Sequence, residues 1–143
     1  MSQENVDFVK GFLTAGADTD KQALLAALPE VIPLMCDPEI EWYEDPKRAD
    51  SRVYRGHDGV RESFERWLDQ WDEYGMEPER FTDYGDDVLV VAREQGRGAT
   101  SGATVSARIY LVFTFREGKV LRYREFYEEA AALAAVGQQQ PRG

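Results

Sequence analysis

With 143 residues, 43% of them hydrophobic and 31% charged, the chain has the length and apolar content of one domain with its own core. Twenty-seven acidic residues against 17 basic ones leave a formal charge of −10, which repels phosphate backbones and argues against nucleic-acid binding. One cysteine, Cys36, and one histidine, His57, exclude an intrachain disulfide and an all-protein His/Cys metal site.

Glu4 and Asp7 stand where a leader would carry basic and apolar residues, and apolar runs such as Val88 to Ala92 fall far short of the roughly 18 residues that span a bilayer. Together with the lone thiol, this predicts a soluble, unexported, cytoplasmic protein. From Glu4 to Thr14, Val6, Val9 and Leu13 recur at helical spacing beside Phe8 and Phe12. Asp18 or Asp20 can cap a second helix carrying Leu24, Leu25 and Leu28, which Pro29 and Pro33 are expected to interrupt. Cys36-Asp-Pro38 reads as a turn, and Ile40 to Glu44 as a short strand broken by Asp45-Pro46.

After Tyr54-Arg-Gly-His-Asp-Gly59, the residues Val60, Phe64, Trp67, Leu68 and Trp71 fall on one face of a long helix that Gly75 can stop. Arg61, Glu62, Glu65, Arg66, Asp69 and Asp72 form its solvated face. Beyond Gly75 the pattern becomes strand-like over Met76 to Tyr84, Val88 to Gln95, Thr104 to Arg116 and Lys119 to Tyr127. Turns containing Gly85, the Gly96 to Gly102 stretch and Glu117-Gly118 separate them. A helix over Glu128 to Val136 closes a single domain, 1–137, and the tail 138–143 offers nothing to bury and is expected to be disordered. Helices followed by an antiparallel meander define an α+β fold.

The last hairpin predicts side-chain placement. With Glu117-Gly118 as a two-residue turn, Arg116 pairs with Lys119, and an unbroken register puts Val112 opposite Tyr123 and Tyr110 opposite Glu125, sharing a face. Both faces of this hairpin are substantially apolar. One is expected to cover the helices and the other to meet a second copy in a homodimer.

The order of these elements, with Ile40-Glu-Trp-Tyr-Glu-Asp-Pro46, Tyr54-Arg-Gly-His-Asp-Gly-Val-Arg61, Arg116-Glu-Gly-Lys119 and Arg124-Glu-Phe-Tyr-Glu128, resembles SnoaL-like members of the nuclear transport factor 2-like superfamily. The resemblance, from Asn5 to Gly137, implies a cone: a strongly bent antiparallel sheet wrapped around helices and an apolar pocket, with its convex face commonly a dimer interface. The superfamily includes ketosteroid isomerase, polyketide cyclases, limonene-epoxide hydrolase and members without known activity, so the fold does not choose a reaction. By resemblance to the hydrolase, Glu125 and Glu94 stand at its active-site acids, but Ala92 replaces its Arg, and Trp42 and Glu44 replace its water-orienting Tyr and Asn. By resemblance to the isomerase, Asp45 or Glu44 stands at the general base and Tyr110 at the donor to the forming enolate.

The candidate catalytic residues are therefore Glu125, Glu94, Glu44, Asp45 and Tyr110, since a desolvated carboxyl beside a second acid is prepared as acid or base and a tyrosine can donate to an oxyanion. Trp42, Tyr123, Trp67, Trp71 and Arg108 are the candidate ligand contacts. No metal and no cofactor is expected, and the expected ligand is a hydrophobic or polycyclic small molecule. His57 reads as a turn or cap, Gly96-Arg-Gly98 as a hairpin loop, and Cys36 as a thiol without a thiolate-stabilising partner. Three functions stay open: cofactor-free isomerisation, cyclisation, dehydration or hydrolysis; ligand binding without turnover; and a protein-interaction module.

Overall fold

A computed structural model describes residues 2–17 and 20–137. Helix α1 (Ser2–Ala17) and helix α2 (Lys21–Met35) lead into strands β1 (Cys36–Tyr43) and β2 (Val53–Arg55). Helix α3 (Gly56–Asp69) precedes four long strands, β3 (Trp71–Tyr84), β4 (Asp87–Gly98), β5 (Thr104–Arg116) and β6 (Lys119–Phe126), and helix α4 (Glu129–Gly137) ends the fold. The six strands form one curved, unclosed sheet in the order β2-β1-β6-β5-β4-β3. The fold is α+β, as expected, but β1 joins β6 in parallel, so the sheet is not a pure meander. The tail at 138–143 and the alternative cap Asp18 lie outside the described residues.

Local chemistry accounts for most boundaries. The Asp20 carboxylate accepts from the Ala23 amide at 2.8 Å and caps α2. Pro29 and Pro33 do not interrupt that helix; both point outward, while Leu28 and Ile32 bury the opposite stripe, and this packing outweighs the lost hydrogen bonds. The segment before β1 is thus helix up to Met35, and β1 begins within the predicted turn, at Cys36. Helix α3 ends at Asp69, six residues before Gly75, so Trp71 opens β3 despite its helical spacing. It does so because β4 offers a seat: a Cβ on Gly96 would lie 2.5 Å from Trp71 Cε3, so only glycine lets the indole lie there. Gly96 and Gly98 accordingly belong to β4, and the connecting loop begins after them.

The β5–β6 hairpin turns through Glu117 and Gly118, both at positive φ, and pairs Arg116 with Lys119 as predicted. One pair further in, a bulge leaves Leu121 unpaired: Phe115 faces Val120 and Thr114 faces Arg122. Every pair beyond it is displaced by one. Leu111, not Tyr110, stands opposite Glu125, and Tyr110 stands opposite Phe126. A one-residue slip exchanges faces. Glu125 and Tyr123 therefore join Leu111 and Phe113 on the concave side, where α1, α2 and α3 bury the main core, while Tyr110 and Val112 turn to the convex side.

On that convex side, Leu89, Val91, Tyr110 and Val112 pack against Ala132 and Val136 of α4. The apolar strip that prompted the expectation of a second subunit is covered by the chain's own last helix. Among the described residues no helix is long and apolar enough to cross a membrane.

Candidate functional site

The concave side encloses a cavity of about 410 Å³. Its floor includes the sheet row Phe113, Tyr123 and Trp42, in which each residue pairs with the next across three strands. The Trp42 and Tyr123 rings stack at a centroid distance of 3.9 Å, and α3 contributes Phe64 and Trp67 to the lining. Trp71 and Tyr74 of β3 line the cavity beside Trp67. The Trp71 indole N–H is buried and has no hydrogen-bond partner among the described residues.

Of the five acids that line the cavity, Asp20, Asp72 and Glu73 are exposed, and two are withdrawn from solvent, Glu125 from β6 and Glu44 from the residue after β1. Between them stands Arg48, with Nη1 at 3.7 Å from Glu125 and 4.0 Å from Glu44. Its guanidinium also lies 5.1 Å over the Trp67 ring. Glu125 accepts from the Tyr123 hydroxyl at 3.1 Å, and Glu44 accepts from the Arg52 amide at 3.0 Å. A third acid, Glu94, is buried behind the lining and accepts from the hydroxyls of Tyr74 (2.7 Å) and Tyr127 (3.2 Å). Tyr74 thus connects the cavity to a carboxylate that does not line it.

Burial drives the electrostatics of this group. Desolvation, with the nearby Glu94 and Glu44 charges adding to it, lifts Glu125 from its ordinary 4.5 to about 7, against the opposing hydrogen bond from Tyr123 and the charge of Arg48. Desolvation raises Glu94 too, and its two tyrosine donors oppose the rise. Tyr74 and Tyr127 are held well above their usual range, first by burial and then by the Glu94 charge, and so remain protonated donors. Near neutrality Glu125 can both give and take a proton, which is the property a general acid or base needs.

The profile of the SnoaL-like domain family matches residues 21–123. The chain belongs to the SnoaL-like domain family. No curated protein matches the chain. Solved structures share its fold: a nuclear transport factor 2-like protein from Burkholderia xenovorans LB400 is 28% identical, with 95% of this chain and 98% of that one covered at a TM-score of 0.67. A protein from Jannaschia sp. CCS1 assigned as a SnoaL-like polyketide cyclase is 19% identical, with 98% and 95% covered at a TM-score of 0.72. TerC, co-crystallised with polyporic acid, is also 19% identical, with 94% and 98% covered at a TM-score of 0.67.

Within this SnoaL-like cone the sequence-predicted residues divide into three groups. Glu125, Glu44, Trp42, Trp67, Trp71 and Tyr123 meet at the cavity, and Glu94 stands one tyrosine behind it. Asp45 does not line the cavity: its two oxygens accept from the amides of Lys47 and Tyr127, both at 2.7 Å, so the carboxylate ties the loop after β1 to the end of β6. Tyr110 and Arg108 lie elsewhere. The bulge turns Tyr110 toward α4, and Arg108, on the same convex side, pairs with Glu79 at 3.0 Å.

Three residues of the site were missed in the sequence. Arg48 sits in an irregular loop, where no periodicity assigns a direction. Its one signal is that it falls three residues after Asp45, within reach of the strand end that carries Glu44. The sequence pattern stops a helix at Gly75 and starts a strand at Met76, which leaves Tyr74 at the helix end, whereas β3 begins at Trp71; Tyr127 lies just past β6. Cys36 and His57 stay structural. Burial pushes the Cys36 thiol up to about 12, and His57 Nε2 donates to the Cys36 carbonyl at 2.9 Å. Among the described residues no cluster of three or more His, Cys, Asp or Glu side chains is arranged to hold a metal ion.

Proposed function

We propose that the cone binds a hydrophobic small molecule and that Glu125 acts on it as a cofactor-free general acid or base, in an isomerisation, cyclisation, dehydration or water addition. The observation that carries this reading is a carboxyl in the wall of an aromatic-lined cavity, lifted by burial to about 7. In the base direction, Glu125 removes a proton from a carbon next to a carbonyl or from an attacking water, and the electron pair moves toward the substrate oxygen. Arg48 holds the carboxylate form of Glu125 in place, and Glu44 shares that guanidinium as the second acid. Glu94 acts at one remove, fixing the hydroxyls of Tyr74 and Tyr127.

A panel of hydrophobic carbonyl, epoxide and polycyclic compounds soaked into crystals, followed by turnover assays of those that bind, tests the reading. A ligand oxygen within hydrogen-bond reach of Glu125, and conversion that Glu125→Gln abolishes, is the expected result. Conversion at full rate by Glu125→Gln removes the acid from the mechanism. Binding without turnover favours a second reading, ligand sequestration, which the ion pairs of Glu125 and Glu44 with Arg48 also fit.

A further inference from the structure

The charges around the cavity are unequal in a way that discriminates among ligands. At the rim, Lys21 donates to the Trp71 carbonyl at 2.9 Å and Arg97 lies 3.8 Å from both Asp72 and Glu73, so cations offset most of the exposed acids there. The interior has no such balance: Glu44, Glu94 and Glu125 are all buried or nearly so, and among the described residues Arg48 is the one cation with interior ion pairs, to Glu44 and Glu125. Arg48 Nη1, although close to two of these carboxylates, hydrogen-bonds to neither. Water-excluded charges interact far more strongly than exposed ones, so the interior surplus decides which charge a ligand can bring in.

The walls point the same way. Aromatic faces attract cations, and one pairing of this kind already exists in the lining, the Arg48 guanidinium over Trp67. Trp71 and the stacked Trp42 and Tyr123 rings line the same cavity as the Glu44 and Glu125 carboxylates. The whole chain, at −10, also attracts cations and repels anions at a distance.

We propose that the cone selects a hydrophobic amine, an aromatic or polycyclic skeleton carrying one protonated nitrogen, which sits against Glu125 and Glu44 and the neighbouring ring faces. This rests on the reading of the cone as a ligand site and names the chemical class it takes. A carboxylate or other anionic ligand meets the surplus with like charge and is rejected. The amine also selects the ionised form of Glu125. The groups facing that carboxyl are Tyr123 on its own strand, Glu94 on β4, Glu44 after β1, Arg48 in the following loop, and the hydroxyls of Tyr74 and Tyr127. Affinity for the amine therefore rises as the pH passes upward through the range in which Glu125 loses its proton, and affinity for a neutral analogue stays flat.

Isothermal titration of the whole protein with naphthylmethylamine, naphthylmethanol and naphthoate, one skeleton with three charges, tests this at pH 8 and again at pH 5.5. The amine is expected to bind about tenfold or more tighter than the alcohol at pH 8, with naphthoate weakest and the amine's advantage reduced at pH 5.5. Glu125→Gln, or Glu44→Gln if the first variant does not fold, should lower amine affinity by more than it changes alcohol affinity, so that the ratio between the two falls. An alcohol that binds as well as the amine, or a naphthoate that binds best, overturns the amine preference while leaving the cone a ligand site. Failure of all three to bind overturns the ligand-site reading and this inference with it.

Discussion

The two faces of the same sheet handle charge in opposite ways. On the convex face a row of paired positions runs Asp87, Thr114, Arg122, Glu41, Arg55 across five strands. Charges alternate along it: Arg55 meets Glu41 at 2.6 Å, Arg122 lies 3.8 Å from the same carboxylate, and the Thr114 hydroxyl donates to Asp87 at 2.7 Å. On the concave face two of three carboxylates, Glu44 and Glu125, share one guanidinium, and the three are otherwise held by tyrosine hydroxyls and a backbone amide. Along the convex row opposite charges pair with one another, while Asp87 Oδ2, and Arg124 Nε and Nη2 on the same face, are buried without partners among the described residues. An acid surplus in a desolvated cavity leaves one proton loosely assigned near neutral pH, and that proton is available for chemistry.

The comparison can be broken most sharply at Glu125. If it is the acid or base, Glu125→Gln lowers turnover of any converted ligand by about 10²–10⁴, measured as kcat under saturation. The same variant tests the electrostatics without a ligand. Because burial raises the Glu125 pKa from 4.5 to about 7, the folded state favours the protonated form. The associated stability is complete below about 4.5 and is lost as the pH rises through about 7, a difference of up to about 3 kcal/mol. Urea unfolding at pH 5 and pH 8 should show this fall in the natural protein and a flatter profile in Glu125→Gln.

Removing the shared cation is expected to have an effect of similar size. Arg48→Met leaves Glu44 and Glu125 without their counter-charge and should destabilise the fold by about 3 kcal/mol at pH 8, and by less at pH 5, where Glu125 takes up a proton. A loss that is equal at both pH values would mean that Arg48 serves the loop and not the carboxylates. Gly96→Ala acts through packing: its new Cβ collides with Trp71, at an expected cost of about 1–3 kcal/mol and with a change in Trp fluorescence. On the convex face Arg108→Ala removes exposed pairing only and should leave both the melting temperature and turnover unchanged.

The helical stripe of Val60, Phe64 and Leu68, the turn at Glu117-Gly118 and the alternation in β4 and β5 were legible because each depends on neighbours a few residues away. The course of α2 through Pro29 and Pro33 was not, because tertiary burial of Leu28 and Ile32 overrides the local preference. The placement of Tyr110 failed for a comparable reason. The extra residue Leu121 belongs to the curvature of the sheet, and no local pattern at Val120 to Arg122 announces it. The acids of the cone were legible as residue types on strands, and Glu125, Glu94 and Glu44 do converge. The guanidinium that divides them was not, since Arg48 reaches the site from a loop held by the Asp45 carboxylate.

The most direct test of the central claim is the ionisation of Glu125 itself, followed by carbon-13 NMR of glutamate side-chain carboxyls across pH 3 to pH 9, with Glu125→Gln identifying the resonance. The account predicts a midpoint near 7 for that carboxyl. A midpoint at the ordinary 4.5 would mean that burial does not perturb this carboxyl, and the acid–base role would fall.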